Sequence, residues 1–90
     1  MTTTAATVVI YSTNTCPYCV RAKQLLSRKD LKFTEINLST EPEYVRTDLM
    51  AKTNHRTVPQ IFINHQFIGG FDDLYALDRS GELDILLNSV

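Results

Sequence analysis

The order of apolar and polar positions divides the chain into short segments of alternating strand-like and helix-like character. A β-branched, apolar run at residues 7–11 predicts a first strand that is buried on both faces. Apolar residues at helical spacing follow from Pro17 to about residue 28, which predicts a helix with the proline in its first turn. Alternation over residues 33–38 indicates a second strand.

The second half of the chain adds a helix, a hairpin and two further helices. Helical spacing returns after residue 42 and extends to about residue 54. Two apolar runs then flank Asn64-His65, a pair typical of the tight turn in a β-hairpin. Gly69-Gly70 supplies backbone freedom for a sharp turn, and Ser80-Gly81 separates the last two helices.

This order of elements predicts the topology. A helical crossover between the first two strands favours a parallel pair, whereas a two-residue hairpin forces the last two strands to be antiparallel. The expected fold is therefore α/β and thioredoxin-like, with a mixed four-stranded sheet flanked by helices on both faces. With 90 residues and no repeat or linker, we expect a single domain over residues 1–90, in which residues 1–6 form a frayed tail.

Composition narrows the functional classes. The formal net charge of −1 gives no electrostatic reason to expect binding to nucleic acid or to an anionic membrane. No apolar run approaches the roughly 18 residues of a membrane span. The first residues carry neither the basic region nor the apolar core of a secretory signal, so a cytoplasmic location is expected. In a reducing compartment, two cysteines are more often catalytic or metal-binding than a permanent cross-link.

Both cysteines lie in the tetrapeptide Cys16-Pro17-Tyr18-Cys19, between the first strand and the first helix. A helix N-terminus lowers the pKa of a cysteine below the ordinary value of about 8.5, which favours Cys16 as the nucleophile. Cys19 follows one helical turn later and is the expected resolving thiol. Inert buried thiols and a structural zinc site are the alternatives. Zinc needs two more ligands, and the two histidines have no partner at a suitable spacing, so no metal is expected.

Two further motifs each allow two interpretations. Thr57-Val58-Pro59 is either an ordinary strand entry or a cis-proline turn, which would leave the Val58 backbone free to bind an extended peptide. Gly69-Gly70 followed by Asp72-Asp73 is either a glycine turn with an acidic helix cap or the wall of a pocket. In the second case the helix N-terminus receives a carboxylate and Asp72 binds an ammonium group.

The three motifs, in this order, resemble those of dithiol glutaredoxins, and most closely the small bacterial glutaredoxin-3 type. The resemblance extends from about Val8 to Leu87, and the chain has no tryptophan, whereas thioredoxins usually carry Trp-Cys-Gly-Pro-Cys. It implies a glutathione-disulfide oxidoreductase that reduces glutathionylated proteins, low-molecular-weight mixed disulfides and protein disulfides. It also implies a monomer with glutathione as co-substrate and no permanently bound cofactor.

The resemblance implies a role for individual residues as well. Val58 should pair through its backbone with the cysteinyl part of glutathione, and Arg46 should contact the glycine carboxylate. Phe71, through its N–H, and Asp72 should hold the γ-glutamyl end, while Tyr18 flanks the sulfur. The expected glutathione-binding residues are Tyr18, Arg46, Thr57, Val58, Pro59, Gly70, Phe71 and Asp72. Arg56 is either a further contact or a solvated loop cation.

Two departures from the family pattern and two alternative functions stay open. Thr13 stands where many relatives carry lysine, which leaves thiolate stabilisation to the helix start and to Thr15 or Arg21. Phe71 stands where some relatives have a third cysteine, so its contact is left to the backbone. The alternatives are a redoxin reduced by thioredoxin reductase and a glutathione-assisted carrier of an iron–sulfur cluster, although such carriers more often have Cys-Gly-Phe-Ser.

Overall fold

The computed structural model describes residues 7–88, so the predicted tail at residues 1–6 lies outside the described residues. Its elements are β1 (Val8–Ser12), α1 (Pro17–Arg28), β2 (Thr34–Asn37), α2 (Glu43–Thr53), β3 (Gln60–Ile63), β4 (Gln66–Gly69), α3 (Phe71–Ser80) and α4 (Glu82–Asn88). A short 3₁₀ turn, Leu38–Thr40, joins β2 to α2. The predicted alternation of strands and helices is confirmed.

The four strands form one mixed sheet in the order β2-β1-β3-β4. β1 runs parallel to β2, which α1 connects to it, and β3 runs antiparallel to both β1 and β4. The hairpin between β3 and β4 turns at Asn64 and His65, whose φ angles of 51° and 68° lie in the left-handed region that tight hairpin turns require. The predicted mixed four-stranded sheet is thus confirmed.

Helices cover the two faces of the sheet unequally. We name the side covered by α1, α3 and α4 the aliphatic face, and the side covered by α2 the α2 face. The aliphatic face holds a continuous core of buried side chains: Val8, Ile10, Ala22, Leu25, Leu26, Ile61, Ile63, Leu74 and Leu83. On the α2 face, Leu49 is the buried side chain that α2 contributes. Within residues 7–88, no helix has both the length and the apolar character needed to cross a bilayer.

The prediction that the first strand is buried on both faces is wrong. Val8, Ile10 and Ser12 are buried on the aliphatic face, whereas Val9 and Tyr11 are only half-buried on the α2 face. The reason is that α2 leaves an open groove of about 360 Å³ above these side chains. The strand also extends one residue further than expected, because Ser12 belongs to β1.

A three-residue ion-pair cluster fixes the far end of α1. The Lys29 ammonium lies 2.9 Å from an Asp78 carboxylate oxygen and 3.1 Å from one of Asp84, and these hydrogen bonds, Asp78 first, raise the pKa of Lys29. Since Asp78 belongs to α3 and Asp84 to α4, the cluster joins all three helices of the aliphatic face. It helps to hold α1 in the orientation that presents its N-terminus at the carboxyl end of β1.

Candidate active site

The dithiol lies where β1 gives way to α1. Cys16 is the N-cap of α1, with an extended backbone (φ −135°, ψ 97°), and Pro17 is the first helical residue, as predicted. Cys16 and Cys19 are joined by a disulfide, with their Cα atoms 5.1 Å apart. Cys19 is only 1% exposed, whereas Cys16 is half-buried. This difference favours Cys16 as the sulfur that a substrate reaches first.

The start of α1 places one backbone N–H against the Cys16 sulfur. The Cys19 N–H donates to Cys16 Sγ over 3.1 Å, and the Val20 N–H donates to the Cys16 carbonyl over 3.2 Å. On its other side, Cys16 Sγ lies 3.6 Å from the Val58 carbonyl oxygen. An N–H donor at a helix N-terminus stabilises an anion, so the same geometry would favour a thiolate at Cys16 after reduction.

The segment before β3 forms the wall that faces the dithiol. The Val58–Pro59 peptide bond is cis, one of the two possibilities that the sequence left open. Val58 is half-buried and Pro59 is buried. Within residues 7–88, the Val58 N–H donates to no protein group. Its N–H therefore remains available to an extended ligand beside Cys16, and its carbonyl oxygen, whose neighbour is Cys16 Sγ, can accept a hydrogen bond from the same ligand.

A buried glutamine holds this wall in place. Gln60 is fully buried, and its amide nitrogen donates to the carbonyls of His55 (2.9 Å) and Thr57 (3.1 Å). Its amide oxygen accepts a hydrogen bond from the Thr53 hydroxyl at the end of α2 (2.8 Å). Sequence reasoning assigned Gln60 only to a strand. The signal that it missed is a polar side chain at the start of an otherwise apolar strand, directly after the Thr57-Val58-Pro59 motif.

The second wall is the start of α3. Gly70 is its N-cap, and the Gly70 N–H donates to the Asp73 carboxylate over 3.0 Å. Gly69 has a φ of 130° and lies so close to Asp73 that a Cβ would overlap its carboxylate, so both space and conformation require glycine. Phe71 and Asp72 follow as the first helical residues, whose N–H groups have no partner within a helix.

These two walls enclose a groove of about 370 Å³ next to the dithiol. It is lined by Tyr18, His55, Thr57, Val58, Pro59, Gly70, Phe71, Asp72 and Asp73. Seven of the eight residues expected to bind glutathione are thus gathered around one cavity. Asp73, which belongs to the predicted pocket-wall motif, also lines it, as does His55, which the sequence did not indicate.

Arg46 is the expected residue that does not line the groove. It is half-buried on α2, and Arg56 is exposed in the segment that follows the helix. Among residues 7–88, no α2 side chain lines the groove, and α2 is connected to its wall through the hydrogen bond from Thr53 to Gln60. A contact between Arg46 and a ligand therefore stays a prediction.

A polar cluster supports the strand that leads to the dithiol. The buried Ser12 hydroxyl donates to Glu35 Oε2 over 2.6 Å, and Lys23 Nζ lies 2.9 Å from the same oxygen. The hydrogen bond from Ser12, followed by that from Lys23, lowers the pKa of Glu35. The cluster links the end of β1 to α1 and β2. Within residues 7–88, no three His, Cys, Asp or Glu side chains gather as a metal site requires.

Comparison with known proteins establishes the family to which the chain belongs. The glutaredoxin family model matches residues 8–68. The chain belongs to the glutaredoxin family. A protein named glutaredoxin from Pseudomonas aeruginosa PAO1 is 54% identical over 82 residues, which are 91% of this chain and 96% of that one. Glutaredoxin 3 of Escherichia coli K12 is 51% identical over 82 residues, covering 91% and 98% of the two chains. The resemblance to the family, and to its glutaredoxin-3 members, is confirmed.

Solved glutaredoxin structures agree with the fold. The buckwheat glutaredoxin–glutathione complex superimposes with a TM-score of 0.87 at 32% identity, covering 91% of this chain and 76% of that one. Glutaredoxin from Brucella melitensis gives a TM-score of 0.82 at 47% identity, covering 94% and 91%. The predicted thioredoxin-like fold is confirmed. With the Cys16–Cys19 pair in place, the protein is a thiol–disulfide oxidoreductase.

Proposed function

We propose that this glutaredoxin uses glutathione as co-substrate to reduce glutathionylated proteins, small mixed disulfides and protein disulfides, acting as a cytoplasmic monomer. The observation that carries the proposal is the groove beside the dithiol, in which the Val58 carbonyl lies 3.6 Å from Cys16 Sγ and the start of α3 forms a second wall. Its volume of about 370 Å³ lies within the usual range for small-molecule sites, roughly 300–1,000 Å³.

The chemistry of the two walls suits an extended tripeptide with charged ends. Val58 offers one N–H and one C=O, which can pair with the cysteinyl residue of glutathione as an added strand would. At the start of α3, the N–H groups of Phe71 and Asp72 suit the γ-glutamyl carboxylate, and the Asp72 side chain suits its ammonium group. The structural relative from buckwheat is described as a complex with glutathione, which supports this choice of ligand.

The first half of the reaction is a thiolate attack. The Cys16 thiolate attacks the glutathione sulfur of a mixed disulfide, and the bond between that sulfur and the substrate sulfur breaks. The substrate leaves as a thiolate and takes up a proton, while Cys16 becomes glutathionylated. Binding of the glutathionyl moiety in the groove directs the attack to its sulfur, because the substrate sulfur then points outward.

Two routes complete the cycle. A second glutathione thiolate can attack the glutathione sulfur on Cys16, which releases oxidised glutathione and restores the Cys16 thiolate. With a protein disulfide, the Cys16 thiolate attacks one of the two sulfurs, which breaks the protein disulfide, frees one protein thiolate and joins the other sulfur to Cys16. The Cys19 thiolate then attacks the Cys16 sulfur, which releases the second protein thiolate and forms the Cys16–Cys19 disulfide. Two molecules of glutathione then reduce that disulfide in successive exchanges.

Single-cysteine variants test this assignment. Cys16→Ser should abolish turnover of a glutathionylated peptide, whereas Cys19→Ser should retain it because the route through a second glutathione needs only Cys16. Turnover is measured by coupling oxidised glutathione to glutathione reductase. An inactive Cys19→Ser variant beside an active Cys16→Ser variant would reverse the roles of the two cysteines.

The choice of reductant tests the alternative redoxin. The oxidised protein is mixed either with glutathione and glutathione reductase or with thioredoxin reductase, and loss of NADPH is followed in both. We expect reduction of the Cys16–Cys19 disulfide in the first mixture. If the disulfide were reduced only in the second mixture, the electron source would be thioredoxin reductase and not glutathione.

A further inference from the structure

We infer that a second groove, along α1, docks an acidic and partly apolar segment of a disulfide-bonded protein substrate. This α1 groove is lined by Val20, Arg21, Lys23, Gln24, Ser27, Arg28 and Phe71, and it measures about 650 Å³. The inference rests on the proposed reduction of protein disulfides. It concerns a surface next to the groove proposed for glutathione; the two share Phe71 in their linings, and Tyr18 stands at the border between them.

The charge of the α1 groove is one-sided. Three of its lining residues are cationic and none is acidic, although the whole chain has a formal net charge of −1. Lys23 is paired with Glu35. Within residues 7–88, neither Arg21 nor Arg28 forms an ion pair, and the Arg21 guanidinium lies 5.4 Å from the centre of the Tyr18 ring. Two arginines are therefore available to carboxylates of a partner.

The same groove has an exposed apolar border. Tyr18, Val20 and Tyr75 are 52%, 49% and 42% exposed, which is unusual for large apolar side chains close together. The Phe71 ring connects the two tyrosines, with centroid distances of 6.2 Å to Tyr18 and 5.8 Å to Tyr75. Aromatic side chains beside arginines are the residue types that protein interfaces favour.

The geometry connects this surface to the dithiol. α1 is 12 residues long and begins directly after Cys16, so its last residue, Arg28, lies about 18 Å along the helix axis. An extended segment advances about 3.3 Å per residue, so about five or six residues beside a substrate cysteine reach Arg28. The contact between Tyr18 and Phe71 makes the surface continuous from the dithiol to the groove. A protein segment carrying the reacting disulfide is thus favoured over a nucleic acid.

Peptide binding tests the docking surface without any redox step. The oxidised, ¹⁵N-labelled protein is titrated with two seven-residue peptides that have serine in place of the reactive cysteine. Both contain the same leucine and phenylalanine residues, and one carries three aspartates where the other carries three lysines. We expect the acidic peptide to bind about tenfold more tightly at low salt and to shift the amide signals of Val20, Gln24 and Arg28.

Charge reversal supplies the matched control. Arg28→Glu should weaken binding of the acidic peptide about tenfold, whereas Lys32→Glu, which changes the net charge equally outside the groove, should leave it within twofold. Equal binding of the two peptides, or equal effects of the two substitutions, would overturn the inference. So would equally tight binding of a single-stranded oligonucleotide that carries the same charge as the acidic peptide.

A kinetic arm separates this inference from the proposed function. The cysteine forms of both peptides, and cysteine alone, are converted to mixed disulfides with thionitrobenzoate, and release of the coloured thiolate by the pre-reduced protein is followed. The acidic peptide should react about tenfold faster than the basic one, and Arg28→Glu should abolish this ratio. If the acidic and basic peptides react at equal rates and all three disulfides react rapidly, the docking surface is contradicted and the exchange chemistry is not. If the disulfide of cysteine alone reacts slowly, the proposed exchange chemistry is contradicted. The peptide-binding titration then still tests the docking surface, because it involves no redox step.

Discussion

The two faces of the sheet differ in what holds them together. On the aliphatic face, α1, α3 and α4 bury a continuous set of aliphatic side chains against β1 and β3. On the α2 face, the buried Leu49 borders an open groove that half-buried aromatic side chains also line, and the buried Gln60 is fully hydrogen-bonded. The first face is held by apolar burial, which depends little on the relative orientation of the groups. The second is held by hydrogen bonds, which fix the distance and angle between donor and acceptor.

Each face supports one half of the candidate active site. α1, which carries Cys16 and Cys19, is anchored on the aliphatic face through Ala22, Leu25 and Leu26. The segment that carries Val58 is fixed from the α2 face by Gln60. We therefore expect substitutions on the aliphatic face to change mainly the free energy of unfolding. Substitutions on the α2 face should change mainly the binding of the glutathionyl substrate.

The largest expected effect is a loss of folding stability, and it should differ between a leucine on each face. Leu26→Ala should lower the free energy of unfolding by about 4 kcal/mol, because Leu26 is fully buried in the aliphatic core and leaves a cavity. Leu49→Ala should cost about 2 kcal/mol, because its site borders an open groove that water can enter. Urea unfolding followed by circular dichroism measures both. Equal losses would remove the distinction between the faces.

The next prediction concerns Gln60. Gln60→Leu should raise KM for a glutathionylated peptide about tenfold with kcat changed less than twofold, because the carbonyls of His55 and Thr57 lose their donor. Gln60→Glu keeps the size of the side chain but places a buried carboxylate beside the same two carbonyls, so it should raise KM at least as much. Gln66→Leu, at an exposed position of β4, is the control. A fall in kcat with unchanged KM would show that Gln60 does not act through the Val58 wall.

A smaller effect is expected from the Ser12–Glu35 contact. The pKa of Glu35 is lowered in the folded protein, so its contribution to stability is present above the ordinary value of 4.5 and is lost as the pH falls through the lower, folded value. Ser12→Ala removes the main cause of this shift, so the variant should lose less of its stability between neutral and acidic pH than the wild type. Urea midpoints from pH 3 to pH 7 measure it. Parallel losses in the two proteins would contradict this role of Ser12.

The smallest predicted effect tests Arg46. If Arg46 contacts the glycine carboxylate, as the family resemblance implies, Arg46→Gln should raise KM about threefold for a glutathionylated peptide, in keeping with a solvent-screened ion pair. A mixed disulfide of γ-glutamylcysteine, which lacks the glycine, should show no change. An unchanged KM for both substrates would remove Arg46 from the binding residues and limit the site to the groove that the other seven residues line.

Local signals predicted more of the molecule than non-local ones. The junction between β1 and α1 follows from a β-branched run, polar loop residues and a proline, all close together in the sequence. The hairpin follows from Asn64-His65 in the same way. The hydrogen bond that accompanies the burial of Ser12 is made to Glu35, 23 residues away, and no local pattern specifies such a partner. The partners of Gln60 are close in the sequence, but which of them its side chain reaches depends on how the segment before β3 folds back on it. The position of Arg46 depends on how α2 packs against the sheet. The sequence of α2 is only weakly amphipathic and does not specify this packing.

The most direct test of the account uses Cys19→Ser carrying glutathione as a mixed disulfide on Cys16. Amide hydrogen exchange is measured by NMR before and after glutathionylation. Because the two walls are proposed to hold the tripeptide by their backbones, exchange at Val58, Phe71 and Asp72 should slow by at least tenfold, while exchange at Lys52 on α2 should stay constant. Protection confined to the residues next to Cys16 would contradict the account, since the glutathione would then be tethered without being bound.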